Sequence, residues 1–200
     1  MNLKGKKELV IGTGISGIGA VHHLHHQGAE AILLEQNEKA DAEAIRAKLI
    51  EEDREYPRIV IGALSEQDKS GIDLVVPSHA APMDSPLIVE MKEAGVPVWS
   101  EVELAFMCER GRVLAITGTN GKTTTTTLVG EIMKAFCRKV LVVGNIGYSY
   151  AQVADQTEPD SVSVGEISSF QLEGAETFRP AVSAIIARSE ERRVGKECRS

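Results

Sequence analysis

The chain has 200 residues, of which 42% are hydrophobic and 26% are charged, and its formal net charge is −7 at pH 7. This length is ample for two small domains, and the composition is that of an ordinary soluble globular protein. The acidic balance argues against nucleic acid or a membrane as the main partner, because both surfaces attract clustered Lys and Arg.

The cysteines and the apolar segments both favour a protein that stays inside the cell. Cys108, Cys137 and Cys198 show no paired spacing, so neither a disulfide framework nor a C-x-x-C metal site is indicated. The amino terminus lacks the apolar run of a signal peptide, and no segment approaches the ~18 apolar residues that a membrane span needs. We therefore expect a cytoplasmic protein.

The first predicted unit is a strand, a glycine turn and a helix. The strand is Glu8 to Ile11, the helix extends to about Gln27, and a second strand, Ala29 to Leu34, leads into Glu35. The turn between strand and helix contains Gly12, Gly14 and Gly17. This pattern is typical of a dinucleotide-binding unit, in which the turn approaches a pyrophosphate and the acid accepts a hydrogen bond from a ribose or a base. By itself it indicates only that a nucleotide diphosphate binds here.

Four histidines lie on the first predicted helix: His22, His23, His25 and His26. His22 and His26 would share one face of the helix, since they are four residues apart. A metal site would need a carboxylate or a third ligand, and the neighbouring sequence shows neither. We therefore expect a solvent-exposed helix surface rather than a metal site.

The elements that follow alternate between helices and strands. They are a polar helix over Asp41 to Glu55, a helix that Asp84 caps and Gly95 ends, and strands over Arg58 to Ile61, Asp73 to Val76 and Val96 to Trp99. Such alternation predicts a parallel sheet with its ligand crevice at the carboxyl ends of the strands. Next, Ser100 and Glu103 are spaced as a capping box that opens a helix over Ser100 to Glu109.

The most informative segment is R-V-L-A-I-T-G-T-N-G-K-T-T-T-T-T-L-V-G, Arg112 to Gly130. It predicts a strand over Val113 to Thr117, a turn over Gly118 to Gly121 and a helix over Lys122 to Gly130. A glycine turn that carries G-K-T between a strand and a helix cradles phosphate groups with its backbone N–H groups.

This turn has the shorter form G-T-N-G-K-T, because Ile116 stands where the spacing G-x-x-x-x-G-K-[ST] requires glycine. The pattern assigns Lys122 to the β- and γ-phosphates and the Thr123 hydroxyl to Mg²⁺. The alternative is a glycine-rich turn whose threonines only cap a helix. It is disfavoured because the strand and the helix both stand in the correct places.

Two further strands are predicted to end at the same edge of the sheet. The first, Lys139 to Val143, runs into G-N-I-G, and the second, Ser161 to Val164, runs into G-E-I-S-S-F-Q-L-E; a last strand covers Ala181 to Ala187. Glu166 should therefore lie on the edge that carries Lys122, where a carboxylate can hold Mg²⁺ directly or through water. A surface glutamate at a strand end is the alternative.

These motifs resemble those of the Mur ligases, the ATP-dependent amide-forming enzymes of bacterial cell-wall precursor synthesis. The resemblance extends from about Lys4 to Ala187 and implies a fold class. That class is α/β, with a Rossmann-like parallel-sheet domain over residues 1–100 followed by the first part of a P-loop-type ATPase α/β domain over residues 101–187. Within the family, S-S-F-Q-L-E and V-W-S-E-V-E-L-A are similar to the motifs of the member that adds D-glutamate to UDP-N-acetylmuramoyl-L-alanine.

The resemblance also implies a set of site residues. ATP would be bound by Gly118, Thr119, Asn120, Gly121, Lys122, Thr123 and Thr124; the UDP-sugar substrate by Gly14, Ile15, Ser16, Gly17, Glu35, Asn145 and Ser168. Lys122, Asn145 and Glu166 would be the catalytic residues, and Thr123 and Glu166 the ligands of Mg²⁺. In the implied reaction ATP converts the substrate carboxylate to an acyl phosphate, which the amine of D-glutamate attacks. The full-length form would be a monomer with no nucleic-acid or membrane partner.

Two places depart from the family pattern. Ser78, His79 and Ala80 stand where the family has serine, proline and glycine, which puts the substrate contacts of this turn in doubt. Residues 188–200, R-S-E-E-R-R-V-G-K-E-C-R-S, match nothing in the family, whose chain continues with further metal ligands and a third domain. We therefore expect an unrelated or disordered tail and an inactive fragment.

Three other functions compete with this one. An NAD-dependent oxidoreductase would use the first glycine turn and Glu35, but it leaves the G-K-T segment unexplained. A non-catalytic nucleotide-binding module would bind ligands without forming product. A folate-polyglutamate ligase shares the type of phosphate loop, but the first domain and S-S-F-Q-L-E argue against it.

Overall fold

A computed structural model describes residues 2–78 and 81–186 of the chain. The predicted effect of His79 and Ala80 on substrate contacts lies outside the described residues. The same is true of the predicted tail over residues 188–200. Within the described ranges no helix combines the length and the apolar character needed to cross a bilayer.

Two parallel sheets of four strands each form the framework of the described chain. The first has the order β3-β2-β1-β4 and the second the order β6-β7-β5-β8. The strands are β1 (Lys7–Ile11), β2 (Glu30–Glu35), β3 (Arg58–Ile61), β4 (Leu74–Pro77), β5 (Arg112–Gly118), β6 (Val140–Gly144), β7 (Val162–Glu166) and β8 (Val182–Ile186). The predicted α/β class is therefore confirmed, because every strand pairing is parallel and helices connect the strands.

The helices vary widely in length. They are α1 (Ile15–His26), α2 (Ala42–Arg46), α3 (Glu66–Lys69), α4 (Pro86–Glu93), α5 (Glu101–Phe106), α6 (Lys122–Lys134), α7 (Tyr150–Ala154) and α8 (Ser169–Leu172), with a 3-10 helix over Glu51–Asp53. The two longest, α1 and α6, each follow a glycine turn at the carboxyl end of a central strand. This placement directs the amino ends of both helices toward the ligand-binding edge of their sheets.

Two of the predicted elements are wrong. The helix expected over Asp41 to Glu55 is broken into α2 and the 3-10 helix, because the chain turns between them to bury Leu49 in the core. The strand expected over Val96 to Trp99 is a single bridge between Val98 and Val75. Pro97 lies in this segment and has no backbone N–H with which to extend a ladder.

Two of the predicted caps also need correction. The helix α4 begins after Ser85 rather than Asp84, and the Ser85 side chain makes no capping hydrogen bond. At α5 only half of the predicted capping box forms: the Ser100 hydroxyl accepts from the Glu103 N–H at 3.2 Å. The Glu103 carboxylate instead accepts hydrogen bonds from three backbone N–H groups of residues 176–178. A side chain that satisfies three distant donors fixes that loop, which a local cap cannot do.

The helix α5 joins the two halves of the molecule, one built on the sheet β3-β2-β1-β4 and the other on the sheet β6-β7-β5-β8. Its Leu104 is buried in the apolar core on one face of the first sheet, whereas Val102 and Ala105 are buried in the core of the second sheet. One short helix thus contributes to both cores, which holds the halves together at the predicted domain boundary. The adjacent Glu101 is buried as well and accepts hydrogen bonds from the Ser149 hydroxyl and the Ala151 N–H, both at 2.6 Å.

The expectation of a solvent-exposed histidine surface on α1 is wrong for His22 and His23, whereas His26 is exposed. The helix lies between the first sheet and α7, so His22 is almost buried and His23 is fully buried. His23 Nδ1 lies 3.1 Å from Asp155 Oδ2, just after α7. Burial lowers the pKa of His23, but the neighbouring Asp155 carboxylate and Cys108 outweigh that effect and raise the pKa to about 9. His23 is thus part of the contact between the two halves.

Candidate functional site

Glu166 points to the face of the second sheet on which α6 packs. Side chains two residues apart share one face of a strand, so Glu166 is on the same face as Val162 and Val164. Those two valines pack in one apolar cluster with Val129 and Met133 of α6. Glu166 is the last residue of β7 and is buried, so its carboxylate lies at the carboxyl edge of the sheet on the α6 side.

Lys122 begins α6 at the same edge of the sheet. Residues four apart lie on one face of a helix, and Thr126 and Gly130 are the buried residues of α6. A Cβ on Gly130 would meet Val142 of the sheet, so this stripe of the helix faces the strands. Lys122 is the first residue of the same stripe. The structure thus places Lys122 and Glu166 at the same edge of the sheet, and the meeting of their side chains on one ligand stays a prediction.

The turn before α6 can be built only with glycine at its two ends. Gly118 has φ +142°, and a Cβ there would collide with the backbone of Ile186 in β8. Gly121 has φ +80°, a left-handed conformation that glycine adopts without strain. Between them, Thr119 and Asn120 are exposed, as are Thr123 and Thr124 in the first turn of α6. The predicted ATP-binding residues thus form a largely exposed turn at a helix amino terminus.

The polar groups around the turn 118–121 fit a magnesium-bound triphosphate. Glu166 Oε2 is buried and has no hydrogen-bond partner among the described residues, and neither has the Thr126 hydroxyl. The Lys122 ammonium group donates to the carbonyl oxygens of Gly118 and Thr119 at 2.7 and 3.3 Å, both within the turn itself. A buried carboxylate oxygen without a donor is expensive unless a cation or a ligand meets it. These residues are therefore suited to hold Mg²⁺ and phosphate.

The turn that carries Asn145 is fixed to the strand that carries Glu166. The Asn145 N–H donates to the backbone carbonyl of Glu166 at 3.0 Å, and Gly144 has φ +97° with its α-carbon packed against that same carbonyl. The Asn145 side chain is exposed at the edge of the sheet. Its roles in catalysis and substrate binding stay predictions. The position of Asn145 beside Glu166 supports them.

Ser168 has a structural task besides its predicted contact with the substrate. It caps α8 in a complete capping box with Gln171, in which its hydroxyl accepts from the Gln171 N–H at 3.3 Å and its own N–H donates to Gln171 Oε1 at 2.9 Å. The signal was present in the spacing S-x-x-Q, which is a capping-box pattern. Its predicted contact with the substrate stays a prediction, and any such contact would have to share the hydroxyl with this cap.

A cleft opens at the carboxyl edge of the first sheet, where β1 and β4 end. It has a volume of about 350 Å³. Its lining residues are Ile11, Gly12, Thr13, Gly14, Glu35, Gln36, Lys48, Ser78 and Ala81. Of the predicted substrate residues, Gly14 and Glu35 line this cleft. Ser16 instead lines a narrow gap between the halves, Gly17 is buried beneath the turn, and Ile15 is exposed to solvent.

Two of the three glycines of the first turn permit close packing, and the third leaves open space. Gly12 has φ +98°, and a Cβ there would meet the Ser78 side chain, whereas a Cβ on Gly17 would meet the Gly12 carbonyl. No atom lies within 4 Å of the position of a Cβ on Gly14. Gly14 is thus the glycine of this turn that leaves open space for a phosphate group, and the other two hold the turn against α1 and β4.

Glu35 is held as a carboxylate in the first cleft. Its Oε2 accepts from the Thr13 hydroxyl at 2.5 Å and its Oε1 accepts from the Asn37 N–H at 3.0 Å. The hydrogen bond from Thr13 is the main reason that the pKa of Glu35 lies below its usual value, and the Asn37 N–H and Lys48 add to the effect. Sequence reasoning missed Thr13, which the glycine motif contains, and Lys48, which no motif marks.

Comparison with known proteins gives a consistent picture. Residues 116–182 match the family described as the Mur ligase middle domain. The chain is 52% identical over 186 residues to the UDP-N-acetylmuramoylalanine–D-glutamate ligase of Lachnospira eligens, covering 93% of this chain and 41% of that protein. It is also 52% identical to the protein of the same name in Lachnoclostridium phytofermentans, covering 93% and 40%. The chain thus spans about two fifths of the length of these relatives.

Among solved structures, the fold is similar to that of a UDP-N-acetylmuramate–alanine ligase from Thermotoga maritima. The TM-score is 0.55 at 22% sequence identity, and the alignment covers 92% of this chain and 42% of that one. At this level of identity the likeness concerns the fold. It supports the arrangement of two parallel sheets described above.

Proposed function

We propose that this chain, which belongs to the Mur ligase family, is part of an ATP-dependent ligase that adds D-glutamate to UDP-N-acetylmuramoyl-L-alanine. The observation that carries this proposal is the position of Lys122 and the buried Glu166 at the same edge of the second sheet, beside the glycine turn 118–121. The identity of 52% with two proteins named for that activity supports the choice of substrates. An NAD-dependent oxidoreductase would leave this second site without a purpose.

The residues of the second sheet would handle the triphosphate. Backbone N–H groups of the turn 118–121 and the amino terminus of α6 bind phosphate oxygens, and Lys122 leaves its carbonyl partners to meet the outer phosphates. Glu166 and the exposed hydroxyl of Thr123 would hold Mg²⁺, which neutralises charge on the transferred phosphate. Asn145, beside Glu166, would orient the substrate carboxylate for attack on the γ-phosphate.

The chemistry then requires two displacements. The carboxylate of the sugar-linked L-alanine attacks the γ-phosphorus and releases ADP, which gives an acyl phosphate. The D-glutamate amine attacks the acyl carbon, loses a proton and expels inorganic phosphate, which leaves an amide. Both steps depend on placing like-charged reactants together, so positioned cations and N–H donors supply most of the catalysis.

The cleft of the first sheet would hold the uridine diphosphate of the sugar substrate. Gly14 leaves space for the diphosphate, and the Glu35 carboxylate with its Thr13 neighbour lies where a base or a ribose would accept and donate hydrogen bonds. This use of the glycine turn replaces a dinucleotide by a nucleotide-sugar. A cytoplasmic location and a monomeric complete enzyme belong to the same proposal, because the substrates are intracellular precursors.

Separate binding measurements on the 200-residue chain test the proposal. Isothermal titration with Mg-ATP, UDP-N-acetylmuramoyl-L-alanine and NAD should detect the first two ligands and not the third. The Lys122→Ala variant should weaken Mg-ATP binding about tenfold or more, as expected for a lost hydrogen bond to a charged group, without changing sugar binding. Glu35→Gln should do the opposite. NAD binding that Glu35→Gln abolishes, with no response to ATP, would favour the oxidoreductase.

A phosphate-release assay addresses the reaction itself. The full-length enzyme of which this chain is part should release phosphate only when both substrates and Mg-ATP are present, and Lys122→Ala should remove that turnover. Lys134→Ala, at the far end of α6 and paired there with Glu131 on the surface, is the matched control and should turn over normally. Equal turnover in the Lys122→Ala enzyme would refute the assigned site.

A further inference from the structure

We propose that His22, His26 and Glu52 form a binding site for a single divalent transition-metal ion, Zn²⁺ being the natural probe. The two histidines lie one turn apart on α1, and the glutamate comes from the 3-10 helix. One ligand atom from each of the three residues lies within 4.8 Å of the other two. The site is at the carboxyl end of α1, opposite the end that begins at the glycine turn. It is therefore separate from the cleft of the first sheet and from the turn 118–121.

The distances between the ligand atoms suit a tetrahedral ion. His26 Nε2 is 3.4 Å and His22 Nδ1 is 3.6 Å from Glu52 Oε1. For an ion bound at about 2.0 to 2.2 Å, tetrahedral ligands are roughly 3.3 to 3.6 Å apart. The imidazole rings of His22 and His26 have centroids 4.3 Å apart, which brings two nitrogen ligands to one side of the helix. Small side-chain rotations therefore suffice to form the site.

A buried carboxylate beside the cluster supplies negative charge. Asp53 is fully buried, with one oxygen 2.9 Å from His22 Nδ1 and the other 2.8 Å from His25 Nδ1. Because a metal ion on His22 Nδ1 would replace the proton shared with Asp53, this carboxylate contributes charge rather than ring orientation. Together, Glu52 and Asp53 bring two negative charges to a pair of imidazoles, which favours a cation at this point.

The donor set distinguishes this ion from the one expected at Glu166. Two imidazoles and one carboxylate suit Zn²⁺ and similar transition metals, whereas Mg²⁺ prefers oxygen ligands alone. Glu52 and His26 are about half exposed, so an ion can enter from solvent and keep a water molecule as its fourth ligand. Sequence alone could not reveal the site, because Glu52 is 26 residues from His26 in the chain.

The experiment measures Zn²⁺ binding to the 200-residue chain, prepared without a histidine tag, by competition with a chromogenic chelator. We expect one ion per chain at neutral pH. His26→Gln and Glu52→Gln should each raise the Kd about tenfold or more, since each removes a ligand. Both residues are on the surface, so unfolding midpoints recorded in EDTA should match those of the unchanged protein.

Matched controls remove a neighbouring group of the same kind. His25→Gln removes an imidazole from the same helix, and Glu51→Gln removes an exposed carboxylate from the same 3-10 helix; both should bind Zn²⁺ with less than threefold change. Substitution of Co²⁺ for Zn²⁺ should give a spectrum without the strong thiolate absorption that cysteine ligands produce. Absence of binding at micromolar Zn²⁺, equal affinity in all four variants, or a thiolate band would each overturn the proposal.

Discussion

Glu166 shows how a single residue can combine structural cost and chemical use. Its carboxylate is buried at the end of β7 with one oxygen unpartnered, so in the free protein it is a destabilising group. Such a cost is tolerated where a ligand will later meet the charge. Its backbone is simultaneously fixed, because Ile116 is its register partner in β5 and Gly144 its partner in β6.

The variant Glu166→Gln keeps the shape of this residue and removes its charge. In the unchanged protein Mg²⁺ should strengthen ATP binding. In the variant we expect this strengthening to be smaller by a factor of about ten or more, because a charged ligand of the ion is lost. ATP titrations in Mg²⁺ and in EDTA measure the difference. Glu176→Gln, an exposed acid on a nearby loop, is the control. Equal dependence on Mg²⁺ in both variants would show that Glu166 does not hold the ion.

Glu8 gives a prediction about pH at the residue scale. It is fully buried in β1 without a hydrogen-bond partner among the described residues, and burial raises its pKa to about 7, with repulsion from Asp73 adding to the effect. The unfolded chain ionises this group near its ordinary pKa of about 4.5. Between these values the native state holds the extra proton, so stability falls as pH rises from about 4.5 to about 7.

Replacing Glu8 by Gln removes that pH dependence. Relative to the unchanged protein, Glu8→Gln should gain stability between pH 4.5 and pH 8, by about 3 kcal/mol in the ideal case. Urea unfolding at a series of pH values gives the difference, in which the titration of all other groups cancels. Glu30→Gln, an exposed acid at the start of β2, should show no such trend. A flat difference for Glu8→Gln would contradict the assignment.

At the scale of elements, the turn after β6 depends on glycine at its first position. Gly144 combines φ +97° with contact against the backbone of Glu166, so an alanine there is both strained and obstructed. We expect Gly144→Ala to lower the free energy of unfolding by about 2 to 4 kcal/mol. Gly71→Ala, with φ +75° and open space around it, should cost only about 1 kcal/mol.

Urea unfolding of the two glycine variants isolates the effect of the contact, because both share the backbone strain. Equal costs would show that the turn after β6 can shift to admit a side chain. Since this turn positions Asn145 against Glu166, a measured excess cost for Gly144→Ala would also mean that the edge of the second sheet is rigid before ligands bind.

At the scale of the whole molecule, the halves meet where α1 packs on α7. A Cβ on Gly19 would meet the side chain of Ser149, and Gln27 donates to Asp155 at 2.6 Å across the same contact. Alanine in place of glycine normally stabilises a helix by about 1 kcal/mol. Here we expect Gly19→Ala to destabilise the protein by about 1 to 3 kcal/mol, because it overfills the contact.

A double-mutant cycle tests this interpretation by urea unfolding. In a Ser149→Gly background the obstruction is absent, so Gly19→Ala should then be neutral or stabilising. The difference between the two backgrounds is the coupling energy of the contact. A coupling close to zero would mean that α1 and α7 separate easily, and that the halves are held chiefly by α5, which contributes to both cores.

The sequence by itself determined the local architecture and the positions of the main chemical groups. Strand and helix alternation, the glycine turns and the segment around Lys122 follow short-range rules, so parallel sheets and a glycine turn between a strand and a long helix were predictable. Glu166 could be placed on the same edge as Lys122 because parallel strands present their carboxyl ends together. Strand boundaries shifted by one or two residues, α6 extends four residues beyond its predicted end, and proline stopped Val96 to Trp99 from becoming a strand.

Only the tertiary structure decided what surrounds each element. The histidines of α1 form a polar pattern that predicts a solvated surface, yet α7 covers His23 while Asp53 and Glu52 arrive from a distant segment. Likewise, the Glu103 carboxylate accepts hydrogen bonds from the loop 176–178 instead of capping its own helix. The physical reason is the same in both cases: burial and pairing of a side chain depend on residues brought near by packing, and sequence spacing carries no record of them.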